Sequence, residues 1–478
     1  MKRLGLGKIV FILSVFCGAT AVASPAQTFT TLLNFDMTNG AYPFHTSLVQ
    51  GLDGKIYGTA SSGGADPTPC RFNPGCGTLF EITTGGTLTK LLKLNGTDGI
   101  SPYAGLVQTG NGTFYGTTNS GGANNAGTIF KITGGTLTTL YNFCAVASCA
   151  DGIGPESSLV QATNGSLYGT TNNGGATGDG TVFKITPQGA LTTLHSFKGG
   201  DGTGPAFGAL VEATDGNFYG TTQSGGTSSS GTVFKMTAAG RLTTLHSFNG
   251  SDGTNPNGVV QGTDGNLYGT TLLGGANGQG TVFEITTGGT LTTLYSFCVL
   301  GNPCPDGKSP GDGLVQATDG NFYGTTASGG ANGSGTIYSI TPGGTLTTIH
   351  SFAGADVRPY TVLMQATDGN FYGTTEQGGL SNCSLGSGCG TVFSLSVGLT
   401  PFVKTNPTFG KVGWSISILG TNLTGASAVS FNGTAATTFT VISETEIKAT
   451  VPSGATSGTI QVTTPGGILS SNVAFQVE

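Results

Sequence analysis

The chain has 478 residues, a formal net charge of −6 and only 8% charged residues, while 86 positions are Gly. Apolar residues still make up 36% and recur in short regular runs. This argues against a disordered or fibrous chain and favours many short strands joined by tight turns. The scarcity of basic residues argues against nucleic acid as a partner.

The N-terminus predicts a secretory signal peptide over residues 1–23. Lys2, Arg3 and Lys8 precede an apolar stretch at residues 9–16, and Ala-Val-Ala at residues 21–23 forms a small-x-small cleavage site. No later apolar run approaches the roughly 20 residues needed to span a membrane. We therefore expect a mature chain that starts at Ser24, lacks a transmembrane segment, and is secreted, periplasmic or at the cell surface.

An internal repeat dominates the region that follows. In the clearest unit, residues 210–248, four strand-like runs are separated by the hairpin turn Asp215-Gly216, a Gly225-Gly226 loop and a second turn. Four short antiparallel strands in about 50 residues are typical of one β-propeller blade, and a β-solenoid is the alternative. The tripeptide Tyr-Gly-Thr recurs every 49 to 58 residues, beginning at Tyr57, Tyr115, Tyr168, Tyr219, Tyr268, Tyr323 and Tyr372.

The ends of the repeat region complement each other. Residues 29–35 match the fourth strand of a unit, as at residues 191–197, whereas the seventh unit stops after Leu395 without a fourth strand. A ring uses this complementarity, because the N-terminal strand completes the seventh unit and removes the open edges. We therefore predict an all-β, seven-bladed β-propeller-like domain over residues 24–398.

Two motifs carry a resemblance to a known family. Asp-Gly-Asn-Phe-Tyr-Gly-Thr-Thr, as at residues 215–222, and Gly-Thr-Val-Phe-Lys-Ile-Thr, at residues 180–186, recur with small changes along the repeats. Over residues 28–398 the chain resembles the choice-of-anchor, GloVer-type tandem repeats of exported bacterial proteins. The resemblance implies export and architecture, and it implies no activity.

From Pro401 the repeat vanishes, and residues 399–478 are expected to form a second domain. The matching motifs are Gly-Thr-Asn-Leu at 420–423, Phe-Asn-Gly-Thr at 431–434, Val-Pro-Ser-Gly-Ala at 451–455 and Thr-Pro-Gly-Gly at 464–467. They resemble an IPT/TIG domain, an immunoglobulin-like β-sandwich. In exported bacterial proteins such domains are spacers or modules for protein and carbohydrate contact.

Eight cysteines of the mature chain form four close pairs in the sequence. An even number of cysteines in an exported chain favours disulfides within single loops, and a four-cysteine zinc site is the alternative. The neighbours expected to pair are Cys70 with Cys76, Cys144 with Cys149, Cys298 with Cys304, and Cys383 with Cys389.

The histidines are the other candidate metal ligands. Three of them occupy one repeat position that also accepts Leu and Tyr, so they are predicted to pack; they are His195, His246 and His350. His45 stands alone and carries no signal. No metal or cofactor is therefore expected.

Each repeat is entered through Asp-Gly-x-x-Pro or a close variant. Asp can bond its own backbone and Pro stiffens the turn, and a ring of acidic loops around one mouth is the alternative. Strand order predicts that these loops lie on the same face of the domain as the loops between second and third strands. All four cysteine pairs fall in these two classes of loop, and we expect a ligand to bind on this face. The acidic or amide positions are Asn39, Asp98, Asp151, Asp201, Asp252, Asp306 and Asp356. The prolines are Pro43, Pro102, Pro155, Pro205, Pro256, Pro310 and Pro359.

No catalytic residue is identified from motifs, because the sequence lacks a nucleophile elbow, a zinc-protease helix and a phosphate loop. The near-identity of the repeats also argues against catalysis, which needs one repeat to differ. We therefore expect a noncatalytic exported binding or cell-surface interaction protein whose ligand is a glycan or a surface protein. The alternative is a propeller-type polysaccharide lyase or hydrolase, which a cluster of unlike polar residues in the centre would favour.

Overall fold

The computed structural model describes residues 27–64, 70, 75–205, 207–354, 356–380, 383 and 388–478. The predicted signal peptide lies outside these residues. The prediction of an all-β chain is confirmed, since the described residues form β-sheets, nearly all of them antiparallel, and one 3-10 turn at Ala147–Cys149. No helix among them is long and apolar enough to cross a membrane.

The repeats form seven antiparallel sheets, six of four strands and one of five, numbered here 1 to 7 in chain order. Sheet 1 comprises Val49–Gln50, Ile56–Ala60, Thr78–Ile82 and Leu88–Lys93. Sheet 2 comprises Val107–Gln108, Phe114–Thr118, Thr128–Thr133 and Thr136–Asn142. Sheet 3 comprises Val160–Gln161, Leu167–Thr171, Thr181–Ile185 and Leu191–Ser196. Sheet 4 comprises Val211–Glu212, Phe218–Thr222, Thr232–Met236 and Leu242–Ser247.

The remaining repeats follow the same order. Sheet 5 comprises Thr254–Gln261, Leu267–Leu273, Thr281–Ile285 and Leu291–Ser296. Sheet 6 comprises Val315–Gln316, Phe322–Ser328, Thr336–Ile340 and Leu346–Ser351, with Lys308–Pro310 added beside its second strand. Sheet 7 comprises Met364–Gln365, Phe371–Thr375, Thr391–Ser396 and the N-terminal strand Thr28–Asn34. A small ladder joins Asp356–Val357 to Gln377–Gly378.

The N-terminal strand pairs antiparallel with the third strand of sheet 7, with Phe29 opposite Leu395. Contacts between successive sheets also run through the seventh sheet back to the first. In every repeat, the Thr of Tyr-Gly-Thr donates a hydrogen bond to a backbone carbonyl of the next repeat. Its seven copies are Thr59, Thr117, Thr170, Thr221, Thr270, Thr325 and Thr374, and the last donates to Pro43 O at 3.3 Å.

The repeat motif also explains how each sheet is held together. Where the preceding hairpin turn carries Asp, the Tyr of Tyr-Gly-Thr donates its hydroxyl to that Asp, as Tyr219 does to Asp215 at 2.8 Å. In the third repeat the turn residue is Asn164, and its Nδ2 donates to the Tyr168 hydroxyl at 2.8 Å. Its ring stacks on an apolar side chain of the next sheet; the Tyr168 and Phe218 rings lie 4.1 Å apart. The turn, the second strand and the neighbouring sheet are thus joined by a single side chain.

Residues from 403 onward form a two-layer sandwich around a separate core that includes Ile418, Phe431 and Ile447, all fully buried. One sheet contains Lys404–Asn406, Ser415–Leu419, Glu446–Thr450 and Phe439–Val441. The other contains Thr434–Ala435, Ala428–Phe431, Ile460–Thr464 and Gly467–Ser470. Phe409–Gly410 pairs in parallel with Gln476–Val477.

Candidate binding site

The loops of the repeat domain divide between two faces. The loop that enters a sheet pairs with the loop between its second and third strands, for example through bridges from Ala41 to Ser62 and from Ile153 to Asn173. We call this side of the domain the loop face.

The cysteines form disulfides in the four combinations predicted, and all four lie in the two classes of loop on the loop face. Two bonds staple loops that enter a sheet, and they join Cys144 to Cys149 and Cys298 to Cys304. Two staple loops between second and third strands, and they join Cys70 to Cys76 and Cys383 to Cys389.

The disulfides anchor these loops to the protein interior. The second cysteine of three pairs is at most 3% exposed; these residues are Cys76, Cys304 and Cys389. Cys144, Cys149 and Cys298 are partly exposed. The disulfides therefore fix the shape of the loops on the loop face chiefly by anchoring at least one end of three of the four bonds in the interior.

The opposite side, here called the turn face, carries the Asp-Gly hairpins and contacts the C-terminal domain. Thr445 Oγ1 donates to Leu52 O at 3.1 Å, and Asn406 Nδ2 donates to Gln108 O at 3.0 Å. On sheet 7, the Phe402 amide donates to Thr367 O at 3.0 Å. The C-terminal domain therefore docks on the face opposite the long, disulfide-bonded loops.

Most predicted loop acids bond groups close to them. Asp201 Oδ2 lies 3.1 Å from His195 Nε2, and Asp252 Oδ2 lies 2.8 Å from His246 Nε2. Asp151, only 2% exposed, accepts hydrogen bonds from the Tyr141 hydroxyl and from two amides of its own loop. These carboxylates therefore close their loops, and two of the histidines that we expected only to pack are their partners.

The other predicted loop positions are bonded or partly buried. Asn39 Oδ1 accepts a hydrogen bond from the Asp36 amide at 3.0 Å. Asp306 accepts one from the Tyr295 hydroxyl at 3.0 Å, and Asp356 accepts two, from Thr31 and Thr391. Burial raises the pKa of the Asp98 carboxyl.

The third histidine, His350, stacks on Phe29 at 4.1 Å, so it packs as predicted.

Aromatic side chains from four sheets meet on the loop face, where the first strands begin. The Phe44 ring centroid lies 5.7 Å from that of Tyr103, 5.8 Å from that of Phe207 and 5.5 Å from that of Tyr360. His45 stacks on Phe207 at 3.9 Å. We call these five residues the aromatic cluster; all except His45 remain partly exposed.

His45 links two distant repeats. Its Nδ1 lies 3.2 Å from Asp312 Oδ2 of sheet 6, and the two residues are 8% and 2% exposed. Asp312 Oδ1 also accepts a hydrogen bond from the Gly313 amide at 2.9 Å. The pair ties sheet 1 to sheet 6 beneath the aromatic rings.

Two glutamates with raised pKa values lie in the loops of the loop face. Glu156 accepts a hydrogen bond from Asn119 Nδ2 at 2.7 Å, and its burial raises the pKa of its carboxyl to about 7. Burial also raises the pKa of Glu376, whose Oε2 lies 3.9 Å from an Arg358 nitrogen. The two carboxyls therefore hold protons more tightly than ordinary surface glutamates.

Small residues bring the first strands close together along the centre of the domain. Ser47 Oγ lies 3.3 Å from Ser158 Oγ, although the two residues belong to sheets 1 and 3. A Cβ added to Gly208 would lie 2.6 Å from Gly258 Cα, closer than real Cβ atoms approach. This close approach requires glycine, and it places the aromatic cluster above a tightly packed centre.

The aromatic cluster and its polar neighbours were missed in the sequence, where His45 seemed to carry no signal. A usable signal was present: one or two residues after the loop Pro, otherwise similar repeats differ from one another. Comparing that position across repeats would have singled out the set, which is Phe44 and His45, Tyr103, Glu156, Phe207, Asn257, Asp312 and Tyr360. In the described part of the chain, no three His, Cys, Asp or Glu side chains are grouped to hold a metal ion.

The sheet order and the ring of contacts define an all-β repeat protein of propeller-like type. The sequence matches the Gloeobacter/Verrucomicrobia repeat over residues 17–213 and 206–440. The chain therefore belongs to the Gloeobacter/Verrucomicrobia repeat family. No curated protein matches it in sequence.

Solved structures share the fold at low sequence identity. A catalytically inactive variant of virginiamycin B lyase from Staphylococcus aureus, solved with Quinupristin, superposes with a TM-score of 0.52 and 17% identity, covering 78% of this chain and 99% of that one. The extracellular domain of a hybrid two component system from B. thetaiotaomicron gives 0.50 and 11% identity, covering 95% of this chain and 60% of that one. These identities support a common propeller-type fold and no common activity.

Proposed function

We propose that this chain is an exported, noncatalytic binding protein whose ligand, a glycan or a cell-surface protein, contacts the loop face at the aromatic cluster. The observation that carries the proposal is where the repeats differ. Positions that vary from one repeat to the next come together around Phe44, whereas positions shared by the repeats build the sheets. Function on a repeat scaffold is expected where the repeats diverge and loops are held rigidly.

The proposed architecture is a signal peptide at residues 1–23, a seven-bladed β-propeller at 24–398 and an IPT/TIG domain at 399–478. The seven antiparallel repeat sheets and the pairing of residues 28–34 with the last repeat support the propeller. The two four-stranded sheets after residue 403 support an immunoglobulin-like sandwich. Four disulfides support export, because such bonds persist outside the reducing cytoplasm.

The aromatic cluster suits a ligand with a flat apolar side and polar edges. Partly exposed rings at Phe44, Tyr103 and Tyr360 offer apolar faces that cost little conformational entropy to immobilise. Glu156 and Arg358 add hydrogen-bonding groups on the same face. A pyranose ring has this combination of a C–H face and a hydroxyl edge, which favours a glycan.

The second candidate is a polysaccharide lyase or hydrolase, and two observations speak for it. Glu156 has a pKa of about 7, which suits a general acid or base, and a buried His45–Asp312 pair lies at the same mouth. Noncatalytic binding is better supported, because Phe207 covers the His45 ring and Asp312 already bonds its Nδ1.

Binding of the mature protein to a panel of immobilised oligosaccharides tests the proposal. Tyr103→Ala and Tyr360→Ala should each weaken binding of a recognised glycan by on the order of tenfold, since each removes a ring worth roughly 1 kcal/mol or more. Substitutions of the loop acids, Asp98→Ala and Asp252→Ala, test the surrounding loops.

Asp215→Ala and Asp264→Ala, on the turn face, are the matched controls and should bind normally. If only the turn-face variants lose binding while all variants stay folded, the loop face is the wrong site. Release of shortened or unsaturated sugar products by the parent, abolished in Glu156→Gln, would replace the binding role with the enzymatic one.

A further inference from the structure

A cavity lies away from the aromatic cluster, where the C-terminal domain meets sheets 1 and 2 on the turn face. Its volume is about 650 Å³. Tyr57 and Leu92 of sheet 1, Phe114 and Ile132 of sheet 2, and Ile442 of the C-terminal domain supply apolar walls. We call this space the interdomain cleft; ligand sites commonly form at such junctions.

The interdomain cleft arises from a turn that is one residue shorter than its counterparts. Sheet 2 joins its third and fourth strands through Ile-Thr-Gly-Gly-Thr-Leu at 132–137, whereas sheet 1 uses Ile-Thr-Thr-Gly-Gly-Thr-Leu at 82–88. In five other sheets, the turn glycine lies against a Leu carbonyl of the preceding sheet, so that an added Cβ would fall 2.6–3.0 Å from it. These contacts join Gly86 to Leu32, Gly189 to Leu140, Gly240 to Leu194, Gly289 to Leu245 and Gly344 to Leu294.

The short turn of sheet 2 makes no such contact. Around Gly135, an added Cβ would meet only the Lys90 side chain, and around Gly134 it would meet nothing within 4 Å. The core beneath the turn is consequently uncovered. Ile132 is half-buried, whereas its counterparts in the other six sheets are at most 1% exposed; they are Ile82, Ile185, Met236, Ile285, Ile340 and Leu395.

Tyr57 shows the same departure on the other wall. It is only half-buried, whereas the equivalent tyrosines of sheets 2 to 7 are at most 4% exposed. Its ring lies 4.3 Å from that of Phe114, so the two aromatic side chains form one apolar wall. Within the described residues, the junction of sheets 1 and 2 is thus the one of the seven at which both the Tyr57 position and the Ile132 position are partly exposed.

Charge at the interdomain cleft also departs from the repeat. Lys90 is exposed and lines the cleft with Lys448 from the other domain. The equivalent position is Thr in the other six repeats, at Thr31, Thr139, Thr193, Thr244, Thr293 and Thr348.

Three of the four acids that line the interdomain cleft have partners in the protein. Glu81 bonds Lys55 at 2.5 Å, Asp53 accepts the Tyr57 hydroxyl at 2.8 Å, and Glu446 accepts Ser417 at 2.8 Å. Glu444 is exposed to solvent. Of these acids, Glu81 is ion-paired with Lys55. Asp53 and Glu446 accept hydrogen bonds from neutral hydroxyls and keep their charge. The cleft thus offers two ammonium groups beside apolar walls, among carboxylates that are held by partners in the protein or exposed to solvent.

We propose that the interdomain cleft binds a small organic anion with a flat apolar body, such as an aromatic carboxylate or sulfonate. The body lies against Tyr57, Phe114 and Ile132, and the anionic group pairs with Lys90 and Lys448. This site is independent of the aromatic cluster and of the proposed glycan-binding role. Its ligand bridges the two domains and therefore stabilises their docking by mass action.

The test uses 1-anilinonaphthalene-8-sulfonate, which has an aromatic body and one anionic group, and the full mature protein. Calorimetric titration should give one saturable site per chain. Inserting Thr between Thr133 and Gly134 restores the turn length of sheet 1 and should weaken binding by more than about tenfold by closing the cleft. Lys90→Thr, which restores the repeat residue, should weaken it by about three- to tenfold.

Thr293→Lys is the matched control, since it places the same charge at a junction with a full-length turn, and it should add no site. Equal binding by a folded insertion variant would overturn the proposal, as would the absence of a saturable site in the parent. If the insertion prevents folding, Leu92→Tyr is the variant to test for weakened binding. It fills the cleft with tyrosine, the residue that the equivalent repeat position carries at Tyr141 and Tyr295. Equal affinity for the uncharged N-phenyl-1-naphthylamine would refute the anionic class.

Discussion

Removal of the N-terminal strand, residues 28–35, tests how the repeat domain is closed. This strand pairs with the third strand of sheet 7, and Thr31 Oγ1 donates to Asp356 Oδ2 at 2.9 Å. Phe35, which follows the strand, is fully buried and its ring lies 5.3 Å from that of Phe80 in sheet 1. Removal of residues 28–35 would therefore expose an edge of sheet 7 and open the core between the last and first sheets.

The expected effect is large compared with the stability of a protein domain. Loss of a fully buried Phe costs about 3–5 kcal/mol. The ladder bonds lost with the strand are worth roughly 1 kcal/mol each, so together they cost several kcal/mol more. Domains are stable by only about 5–15 kcal/mol. A chain that begins at Asp36 should therefore be largely unfolded or aggregated.

Thermal unfolding and light scattering of the truncated and parent proteins give the first measurement. A synthetic peptide of residues 28–35, added in excess, should restore folding because it can occupy the vacant edge of sheet 7. Phe248→Ala is the control: it removes an equivalent buried Phe inside the continuous sheet 4, so the peptide should not rescue it. A truncated protein that melts like the parent, or no rescue despite measurable peptide binding, would refute closure by this strand.

Three further predictions concern local contacts. Peptide mapping without reduction should recover the four neighbouring cysteine pairs as disulfides, each worth roughly 2 kcal/mol in the chain-entropy model; free thiols or bound zinc would contradict this. The pKa of Glu156 is raised to about 7 in the folded protein. The contribution of its carboxyl to folding stability therefore falls as the pH rises from the pKa of the unfolded state through 7. Glu156→Gln should therefore stabilise the protein at pH 8 by on the order of 2 kcal/mol and much less at pH 5, and equal shifts in urea unfolding at both pH values would argue against a buried carboxyl. Tyr219→Phe removes the hydroxyl bonded to Asp215 and should cost about 1 kcal/mol by urea unfolding; an unchanged midpoint would show that this bond adds nothing.

Much of the architecture was predictable because the signals are local and repeated. Tyr-Gly-Thr, the Asp-Gly turn and the Gly-Gly loop each specify a conformation within a few residues, and seven copies reinforce one another. The unmatched strand at residues 29–35 predicted its pairing with the last repeat, and the cysteines lie close enough in sequence for their partners to be identified. The Asp-Gly-x-x-Pro loops were predicted to share one face, because strand order alone assigns each loop to a face.

The candidate sites were harder to find because they combine residues far apart in the chain. His45 and Asp312 are 267 positions apart and meet only because the ring brings sheet 6 near sheet 1. The sequence predicted that the loop acids bond their own backbone, and the structure adds side-chain partners that were not predicted, among them His195 and His246. A side chain's partners depend on packing, which a repeat pattern does not record.

The sequence by itself determined the strands, their turns, the cysteine partners and the repeats, since these depend on neighbouring residues. The tertiary structure decided which divergent residues meet at the loop face, where the C-terminal domain docks, and that one missing residue near Gly134 leaves a cleft. A single deletion changes little in the local pattern of the turn. The shorter turn no longer contacts the neighbouring sheet, and this is seen only in the tertiary structure, because packing depends on both surfaces that meet.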